Sequence, residues 1–587
     1  MSQKNTFTYL LERNARSIPD KPAVIYGEKK YTWYEYNKRS NSLANAFLDL
    51  GVKRMDRVAI GLYNGNQFTE AMFAAFKIAA VPININYRYY EKELHYVIDH
   101  SDSTVFLLNE DLIDRTNKIR PDLTKVKHYI VTGEHAPNDM INYDELIKNY
   151  PCSDPKLHWA PMNDEDIGYQ MYTGGTTGYP KGTLFTQKTG VKSGIEAISS
   201  NMSSILPKIA NAPESTFQAL RTTLPIPGIS GLLSNSIVRF ALERRTTAEV
   251  AKGIIRRLPP SFTGLLPRLL GGNLRMLYTT PFIHAYTWHI GLLTLSFGVT
   301  MVILPGKSFD PNEAWETVER DKIAILGVVG DATCKPMAEA LDSKDYDTSS
   351  LFTVLSSGAA TSANVKKRLL EHIPNLLFID MAASSEAFDY GFGISSSSDK
   401  EIHKSLFRLS SHMKIFNEKN EPAGTGEVGE IAKSGDIMPE GYYKDPKRNK
   451  KVFKTIDGKR WFFTGDMATI DDKGNINFVG RGSECINTGG EKVFPEEVED
   501  LIITNPKVEN VGVVGIPSEK WGEAVTAVVQ LKKGEDASSD EIIDFCRGKI
   551  AGYKKPIYVM FVDSIPLTTA GKAYRIKIKE LANETLL

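Results

Sequence analysis

The feature of this 587-residue chain that most constrains its fold is the alternation of short apolar runs with helical patterns. Apolar runs of strand length lie at 57–63, 103–108, 322–329 and 352–358, and a helical pattern follows the first of them. Such alternation is typical of parallel strands, because each parallel connection needs a long crossover that is usually helical. The sequence therefore predicts an α/β fold of layered sheets and helices.

The pattern of predicted strands and helices changes twice in the C-terminal part of the sequence. From about residue 424 short strand-like runs follow one another, and "DDKG" (471–474) is typical of a hairpin turn. After Arg481 the pattern becomes helix, two strands and helix. Since the chain is longer than one hydrophobic core supports, we predict a large multi-subdomain N-terminal domain over 1–481 and a small α+β domain over 482–587.

One long apolar stretch raises the question of a membrane span. Residues 276–306 contain no Lys, Arg, Asp or Glu, but glycines and prolines interrupt them. We interpret the stretch as a buried helix near 283–296 and a buried strand at 299–304. The opening residues lack the apolar core of a signal peptide and the four cysteines lie far apart, which favours reduced thiols and a cytoplasmic protein.

Charge is balanced over the whole chain but not along it. The totals are 71 Lys+Arg and 71 Asp+Glu, which argues against nucleic acid as a partner. Residues 203–275 nevertheless carry ten basic and three acidic residues. One helical face there, opposite Lys252 and Arg256, is apolar: Val250, Ala251, Ile254, Ile255 and Leu258. Such a helix either packs on its own domain or makes a peripheral membrane contact, and both interpretations stay open.

Residues 172–182, "YTGGTTGYPKG", favour neither a helix nor a core. Glycines let backbone N–H groups approach an anion, threonine hydroxyls donate further hydrogen bonds, and Lys181 adds a positive charge. The spacing is not that of a Walker A loop, because Lys181 follows Pro180. The stretch predicts a phosphate-binding loop, although a glycine-rich turn alone would not establish a function.

Further motifs follow this loop in a fixed order: "SSGAA" (356–360), "SSE" (384–386), "TGD" (464–466), "GRGSECINTGGEKVFPEEVE" (480–499) and "PLTTAGKAYR" (566–575). Together they resemble the adenylate-forming superfamily of acyl-CoA synthetases, peptide-synthetase adenylation domains and firefly-type luciferases. The resemblance runs from about Phe7 to Lys579. With "NYRYYEKEL" (86–94), it is most similar to the bacterial acyl-CoA synthetase branch that includes enzymes for steroid side-chain acids.

The resemblance implies how ATP is bound. It assigns the ATP phosphates to loop residues Thr173, Gly174, Gly175, Thr176, Thr177, Gly178 and Lys181. It places adenine along Gly358, Ala359 and Ala360, with Ser385 also in the nucleotide site. Asp466 is expected to accept both ribose hydroxyls, and Arg481 is expected to reach the ribose as well.

The resemblance also implies the catalytic groups. Glu386 matches the acidic residue that binds Mg²⁺, and Lys572 matches the lysine that bridges the substrate carboxylate and the α-phosphate. Thr173 is expected to contribute to catalysis from the phosphate loop. The acyl pocket is expected near His284, Ala382 and Ala383.

The C-terminal domain is expected to be mobile. The resemblance implies that it rotates about a hinge at Ser483 between two half-reactions. The rotation would withdraw Lys572 and present another face to the thiol of CoA, formed by Gly489, Gly490, Glu491 and Lys492.

Several positions depart from the common family pattern. Gln187 stands where histidine is usual, Ala382 and Ala383 replace an aromatic–glycine pair, and Ser385 stands for threonine. Ser483 stands where the hinge usually has Asp or Lys. Since Glu386, Asp466, Arg481 and Lys572 are all present, we expect an active enzyme.

The sequence is thus interpreted as an ATP-dependent acyl-CoA ligase for a medium-chain, long-chain or steroid-type acid, using ATP, Mg²⁺ and CoA. Two alternatives stay open. One is an adenylating enzyme with another acceptor, such as a carrier-protein thiol. The other is a membrane-surface protein with vestigial catalysis, which the presence of Lys572 disfavours. The sequence leaves the oligomeric state open.

Overall fold

Alternating strands and helices build two sheets in the first of two units into which the chain divides. The computed structural model describes residues 4–175, 178–223, 235–257, 274–359, 361–403, 407–488, 491–518, 521–550, 552–567 and 573–586. The first unit comprises residues 1–173, 179–412 and 434–454, and the second comprises residues 174–178, 413–433 and 455–587. The second unit thus contains residues that precede Arg481, and the domain boundary there stays a prediction.

The first sheet of the first unit contains β3 (Arg57–Gly61), β4 (Val81–Asn84), β5 (Ser103–Asn109), β6 (His128–Thr132), β7 (Ile141–Asn142), β8 (Ile167–Gly175), β9 (Gly178–Thr186) and β19 (Gly441–Tyr442). Its strand order is β19-β9-β8-β4-β3-β5-β6-β7. The pairs from β8 through β4, β3 and β5 to β7 are parallel.

The second sheet contains β1 (Pro22–Tyr26), β2 (Lys29–Thr32), β10 (Arg275–Tyr278), β11 (Thr300–Ile303), β12 (Ile325–Val328), β13 (Thr353–Ser357), β14 (Leu377–Ala382), β15 (Gly391–Ser396) and β16 (Phe407–Leu409). The order is β16-β15-β14-β13-β12-β10-β11-β1-β2, parallel from β14 to β1.

The helices of the first unit are α1 (Phe7–Ser17), α2 (Trp33–Asp49), α3 (Asn66–Lys77), α4 (Glu91–His100), α5 (Ile113–Ile119), α6 (Tyr143–Asn149), α7 (Gln187–Ser200), α8 (Met202–Ala210), α9 (Glu214–Thr223), α10 (Ser236–Leu242), α11 (Arg245–Arg257), α12 (Ala285–Ser296), α13 (Pro311–Asp321), α14 (Gly330–Ser343), α15 (Ala363–His372) and α16 (Pro446–Val452). Short 3₁₀ turns lie at Glu110–Leu112 and Arg120–Asp122. The helix and strand expected within 276–306 are confirmed as α12 and β11.

On the central strands of both sheets, side chains alternate between two apolar layers. On β10, Met276 and Tyr278 face the central core with α1, α2, α3 and α12, whereas Leu277 faces an outer core with α13, α14 and α15. On β5, Val105 joins the same central core and Phe106 the opposite outer core. The two sheets therefore share one buried helical layer, which explains why their strands are apolar on both faces.

The second unit contains antiparallel strands and a smaller sheet. Its elements are β17 (Met413–Phe416), β18 (Gly429–Ser434), β20 (Phe453–Ile456), β21 (Lys459–Ile470), β22 (Asn475–Arg481), β23 (Ile486–Thr488), β24 (Glu491–Val493), α17 (Pro495–Ile502), β25 (Val508–Ser518), β26 (Gly522–Leu531), α18 (Ser539–Cys546), β27 (Tyr558–Phe561) and α19 (Arg575–Leu586), with 3₁₀ turns at Gly482–Glu484 and Gly552–Lys554. The predicted "DDKG" hairpin is confirmed between β21 and β22. No helix among the described residues is both long and apolar enough to cross a bilayer.

Candidate active site

The described residues of the predicted phosphate loop, 172–175 and 178–182, lie on two neighbouring strands of the first sheet. β8 runs into it as far as Gly175, and β9 leaves it from Gly178. Thr173 is half-buried on β8 and Lys181 is half-buried on β9. Thr176 and Thr177 lie outside the described residues. Both strands lie near one edge of the first sheet, with β19 beyond β9.

A buried amide fixes the first residue of this loop. The Tyr172 N–H donates to Asn84 Oδ1 at 2.7 Å, and Asn84 Nδ2 donates back to the Tyr172 carbonyl at 2.9 Å. The same Nδ2 donates to the Ile283 carbonyl at 2.7 Å, and Asn84 is only 2% exposed. One side chain on β4 therefore holds both the phosphate loop and the turn before His284.

The Tyr172 ring is fixed as firmly as its backbone. Its hydroxyl accepts from Gln170 Nε2 at 2.9 Å and lies 2.7 Å from His100 Nδ1. Burial raises the pKa of Tyr172, while burial and the neighbouring Lys444 lower the pKa of His100. The hydroxyl can therefore donate to a neutral imidazole. A Cβ at Gly182 would lie 2.9 Å from the Tyr172 ring, so this position needs glycine.

A second amide fixes the turn that carries His284. Asn64 Nδ2 donates to the Thr280 carbonyl at 2.9 Å, and Asn64 Oδ1 accepts from the Phe282 N–H at 2.7 Å. His284 is half-buried at the N-terminal cap position of α12. Its assignment to the acyl pocket stays a prediction.

The predicted adenine strip begins where β13 ends. Gly358 has a positive φ of 84°, which glycine adopts without strain, and Gly358 and Ala359 are both exposed. The strip is anchored on both sides of Ala360, which lies outside the described residues. Ser356 Oγ accepts from the Gly330 N–H at 3.2 Å, and Asp331 Oδ1 accepts from the Ser362 N–H at 2.8 Å.

Glu386 lies in a turn after β14, which ends at Ala382. Its Oε1 accepts from the Tyr442 hydroxyl at 3.1 Å. Tyr442 belongs to β19, where it pairs with Thr183 of β9. Burial and the neighbouring Glu386 raise the pKa of Tyr442, so the phenol stays a donor. The carboxylate is thus connected to the hairpin that carries the phosphate loop.

The residues around Glu386 fit a magnesium ion held together with a nucleotide. Mg²⁺ usually takes one or two carboxylates and completes its shell with phosphate oxygens and water. In the described part of the chain, no cluster of three or more His, Cys, Asp or Glu side chains could hold a metal alone. Glu386 supplies one carboxylate, and the neighbouring Ser384 Oγ is buried without a hydrogen-bond partner among the described residues. Ala383 and Ser385 beside them are half-buried.

The two residues predicted to bind the ribose lie on one hairpin of the second unit. Asp466 on β21 is half-buried and pairs in register with Arg481 on β22. Gly465, with a φ of 83°, donates its N–H to Glu430 Oε1 at 2.9 Å, and the Asp466 N–H donates to Thr464 Oγ1 at 3.2 Å. These hydrogen bonds fix the backbone that carries the Asp466 carboxylate.

The lysine loop, residues 567–573, carries Lys572, which lies outside the described residues. Its ends are held together, because Leu567 and Ala573 are antiparallel bridge partners. Arg575 follows the loop directly at the start of α19.

Arg575 anchors the lysine loop to a cluster of carboxylates. Its guanidinium donates to Glu484 Oε2 at 2.5 Å, to Glu496 Oε1 at 2.7 Å and to both oxygens of Glu499. The Arg575 side chain is 13% exposed. Burial raises the pKa of Glu496 against the opposing effect of Arg575. The lysine loop therefore depends on a partly buried ionic cluster.

The residues predicted for the hinge and the CoA face lie nearby in the chain. Ser483 is in the 3₁₀ turn Gly482–Glu484, and β24 contains Glu491 and Lys492. Gly489 and Gly490 lie outside the described residues. Their predicted roles stay predictions.

Three side chains that support the site were not identified from the sequence. Asn84 could have been noticed as an amide within the buried strand "VPIN", where polar groups need partners. Arg575 lies inside a motif already recognised. For Tyr442, no sequence signal pointed to Glu386.

Two protein-family models match the chain. A model described as "AMP-binding enzyme" matches residues 11–208 and 250–443, and one described as "AMP-binding enzyme C-terminal domain" matches residues 497–572.

Three known proteins illustrate the similarity. The medium/long-chain-fatty-acid–CoA/3-oxocholest-4-en-26-oate–CoA ligase of Mycobacterium tuberculosis is 31% identical over 568 residues, covering 96% of this chain and 93% of the relative. The 3-oxocholest-4-en-26-oate–CoA ligase of Rhodococcus rhodochrous is 31% identical over 573 residues, with the same coverage. The crystal structure of the anthranilate CoA ligase AuaEII with anthranoyl-AMP shares the fold, with a TM-score of 0.73 at 21% identity over 99% of this chain and 98% of that one. The chain therefore belongs to the AMP-binding enzyme family, within the adenylate-forming superfamily.

Proposed function

We propose that the protein is an AMP-forming acyl-CoA ligase. A carboxylate oxygen attacks the α-phosphate of ATP, the bond to the β-phosphate breaks, and pyrophosphate leaves. The thiol of CoA then attacks the acyl carbon of the acyl-adenylate, and AMP leaves with the electrons of the broken C–O bond. The observation that carries this proposal is the phosphate loop in a fixed hairpin, connected through Tyr442 to Glu386.

In this reaction the chain binds and orients charged groups. Backbone N–H groups of residues 173–178 and Lys181 receive the phosphates, and Asp466 accepts the ribose hydroxyls. A magnesium ion bound at Glu386 would offset phosphate charge during the transfer. Lys572 stabilises the charge that develops on in-line attack. Rotation of the C-terminal domain at Ser483 brings residues 489–492 to the thiol in the second half-reaction.

We further propose a bulky apolar acid as the substrate. Ala382 and Ala383 carry only methyl side chains at the predicted pocket, and the curated relatives described above are named for fatty and steroid acids. Each buried methylene contributes about 0.8 kcal/mol, so KM falls as the chain lengthens until the pocket is full. Replacing Ala383→Trp should lower kcat/KM for a C12 acid far more than for acetate.

The test is pyrophosphate release across acids from acetate to long-chain and steroid acids, with and without CoA. We expect release with C8–C16 or steroid acids and acyl-CoA formation only when CoA is present. A kcat/KM for acetate equal to or above that for the larger acids would overturn the substrate proposal. Adenylate formation without transfer to CoA would instead indicate another acceptor, such as a carrier-protein thiol.

A further inference from the structure

Two helices outside the site expose an unusual share of large apolar side chains. On α10, Ile237 and Phe240 are 76% and 59% exposed, and on α11, Val250 and Ile254 are 63% and 57% exposed. Within the described residues, thirteen large hydrophobic side chains are 39% or more exposed, and these four are among the five most exposed. Residues three or four positions apart share one side of a helix, so each helix presents an apolar pair to its surroundings.

The two helices are attached to the first unit by their other sides. Both contact α8, and Ala248 on α11 is buried at 2% exposure. The Arg239 guanidinium lies 4.4 Å from the centre of the Phe217 ring and pairs with Glu214. The exposed pairs therefore lie on elements with a defined packing face, not on isolated helices.

The charge of these helices distinguishes between possible partners. Residues 236–257 contain six basic residues (Arg239, Arg244, Arg245, Lys252, Arg256 and Arg257) and two acidic ones (Glu243 and Glu249), a net charge of +4 in a chain of net charge zero. Arg244 is exposed, and its guanidinium lies 4.6 Å from the centre of the Phe240 ring. A second copy of this surface would bring like charges together, which opposes self-association.

The position of α10 relative to the family match gives an independent observation. The AMP-binding match stops at residue 208 and resumes at residue 250. Residues 209–249, which include α10, therefore lie outside the sequence that defines the adenylating domain. The apolar pair on α10 therefore lies outside the matched sequence, whereas Val250 and Ile254 on α11 lie inside it.

We propose that the surface of α10 and α11, residues 236–257, docks this protein on an anionic lipid bilayer. Apolar side chains insert at the boundary between head groups and acyl chains, while neighbouring Arg and Lys side chains pair with lipid phosphates. This proposal does not depend on the proposed function, because docking is measured without substrates.

The test is co-sedimentation of the full chain with vesicles of phosphatidylcholine alone or mixed with phosphatidylglycerol. We expect binding to the mixed vesicles that weakens as salt screens the lipid charge. The double variant Val250→Ser/Ile254→Ser should lower the partition coefficient by about tenfold or more. Arg244→Glu should lower it at low salt. The control Ile503→Ser, at an exposed position of the second unit, should leave it unchanged.

Three outcomes would overturn the proposal. They are absent vesicle binding, equal binding by the wild type and the double variant, and a wild-type dimer in solution that the double variant dissociates. A urea-unfolding midpoint unchanged in the double variant shows that the variant is folded.

Discussion

The phosphate loop and the lysine loop are held at their bases by different kinds of contact. Neutral groups hold the phosphate loop: the amide of Asn84 binds the Tyr172 backbone, and Gln170 donates to the Tyr172 hydroxyl. Charged groups hold the lysine loop, since Arg575 binds three carboxylates.

The two kinds of contact should respond differently to salt and pH. Neutral buried hydrogen bonds contribute about 1 kcal/mol each and change little with salt or pH. A cluster with more carboxylates than cations depends on its protonation, as the raised pKa of Glu496 indicates. The phosphate loop is therefore built to stay in one place, whereas the lysine loop belongs to the domain for which we propose a rotation.

The largest effect is expected from removing the cation of the ionic cluster. Arg575→Ala leaves Glu484, Glu496 and Glu499 without their partner, which should cost about 3–5 kcal/mol of unfolding free energy. Urea unfolding of the wild type and the variant measures this loss of unfolding free energy. The control Arg547→Ala removes an exposed pair with Asp544 in the same unit and should cost less than about 1 kcal/mol. Equal losses for both variants would contradict the role of the cluster.

The next effect concerns Lys572, the predicted catalytic side chain of the lysine loop. Lys572→Ala should slow adenylate formation by about 10²–10³-fold, because a positive charge no longer stabilises the transition state. Thioester formation from supplied acyl-adenylate should persist. Lys577→Ala, at an exposed position of α19, is the control. Adenylation at the wild-type rate in Lys572→Ala would show that the assigned role is wrong.

The variant Asn84→Ala removes the neutral hydrogen bonds at the base of the phosphate loop. The variant leaves the Tyr172 N–H and the Ile283 carbonyl unpaired in a buried site, which should cost about 2–3 kcal/mol. KM for both ATP and the acid should rise. Asn45→Ala removes similar bonds to the Pro151 and Ser153 carbonyls and should leave both KM values unchanged. A stability loss without a change in KM would indicate a structural role alone.

The smallest effect is the pH response of the phosphate loop. The lowered pKa of His100 means that the folded state favours the neutral imidazole. The contribution of this neutral side chain to folding stability is therefore complete above pH 6.5, and it is lost as the pH falls through the lower pKa of the folded state. KM for ATP should rise about threefold or less below that pH, since one neutral hydrogen bond is lost. His100→Gln should flatten this part of the profile. An identical profile in the variant would assign the response to another group.

The fold was predictable from the sequence because its strands and helices follow simple periods. Side-chain partners were not, because they join distant residues: Asn84 and Tyr172 are 88 positions apart, and Arg575 and Glu484 are 91. Periodicity also predicted an apolar face on α11 but not whether that face is buried. The structure leaves Val250 and Ile254 of this face exposed, and Leu258 lies outside the described residues. At the departure Gln187, the amide oxygen accepts from the Phe7 N–H at 2.8 Å, a contact that no motif predicts.

Asn84 has a thermodynamic consequence for the order in which substrates bind. Its amide binds the backbone of both Tyr172, beside the predicted phosphate loop, and Ile283, beside the predicted acyl pocket. We therefore expect the binding of nucleotide and the binding of acid to be coupled through this side chain. Linkage then requires reciprocity: if a non-hydrolysable ATP analogue lowers the Kd of the acid by some factor, the acid lowers the Kd of the analogue by the same factor. Calorimetric titrations in both orders should give equal factors in the wild type, and both factors should approach one in Asn84→Ala.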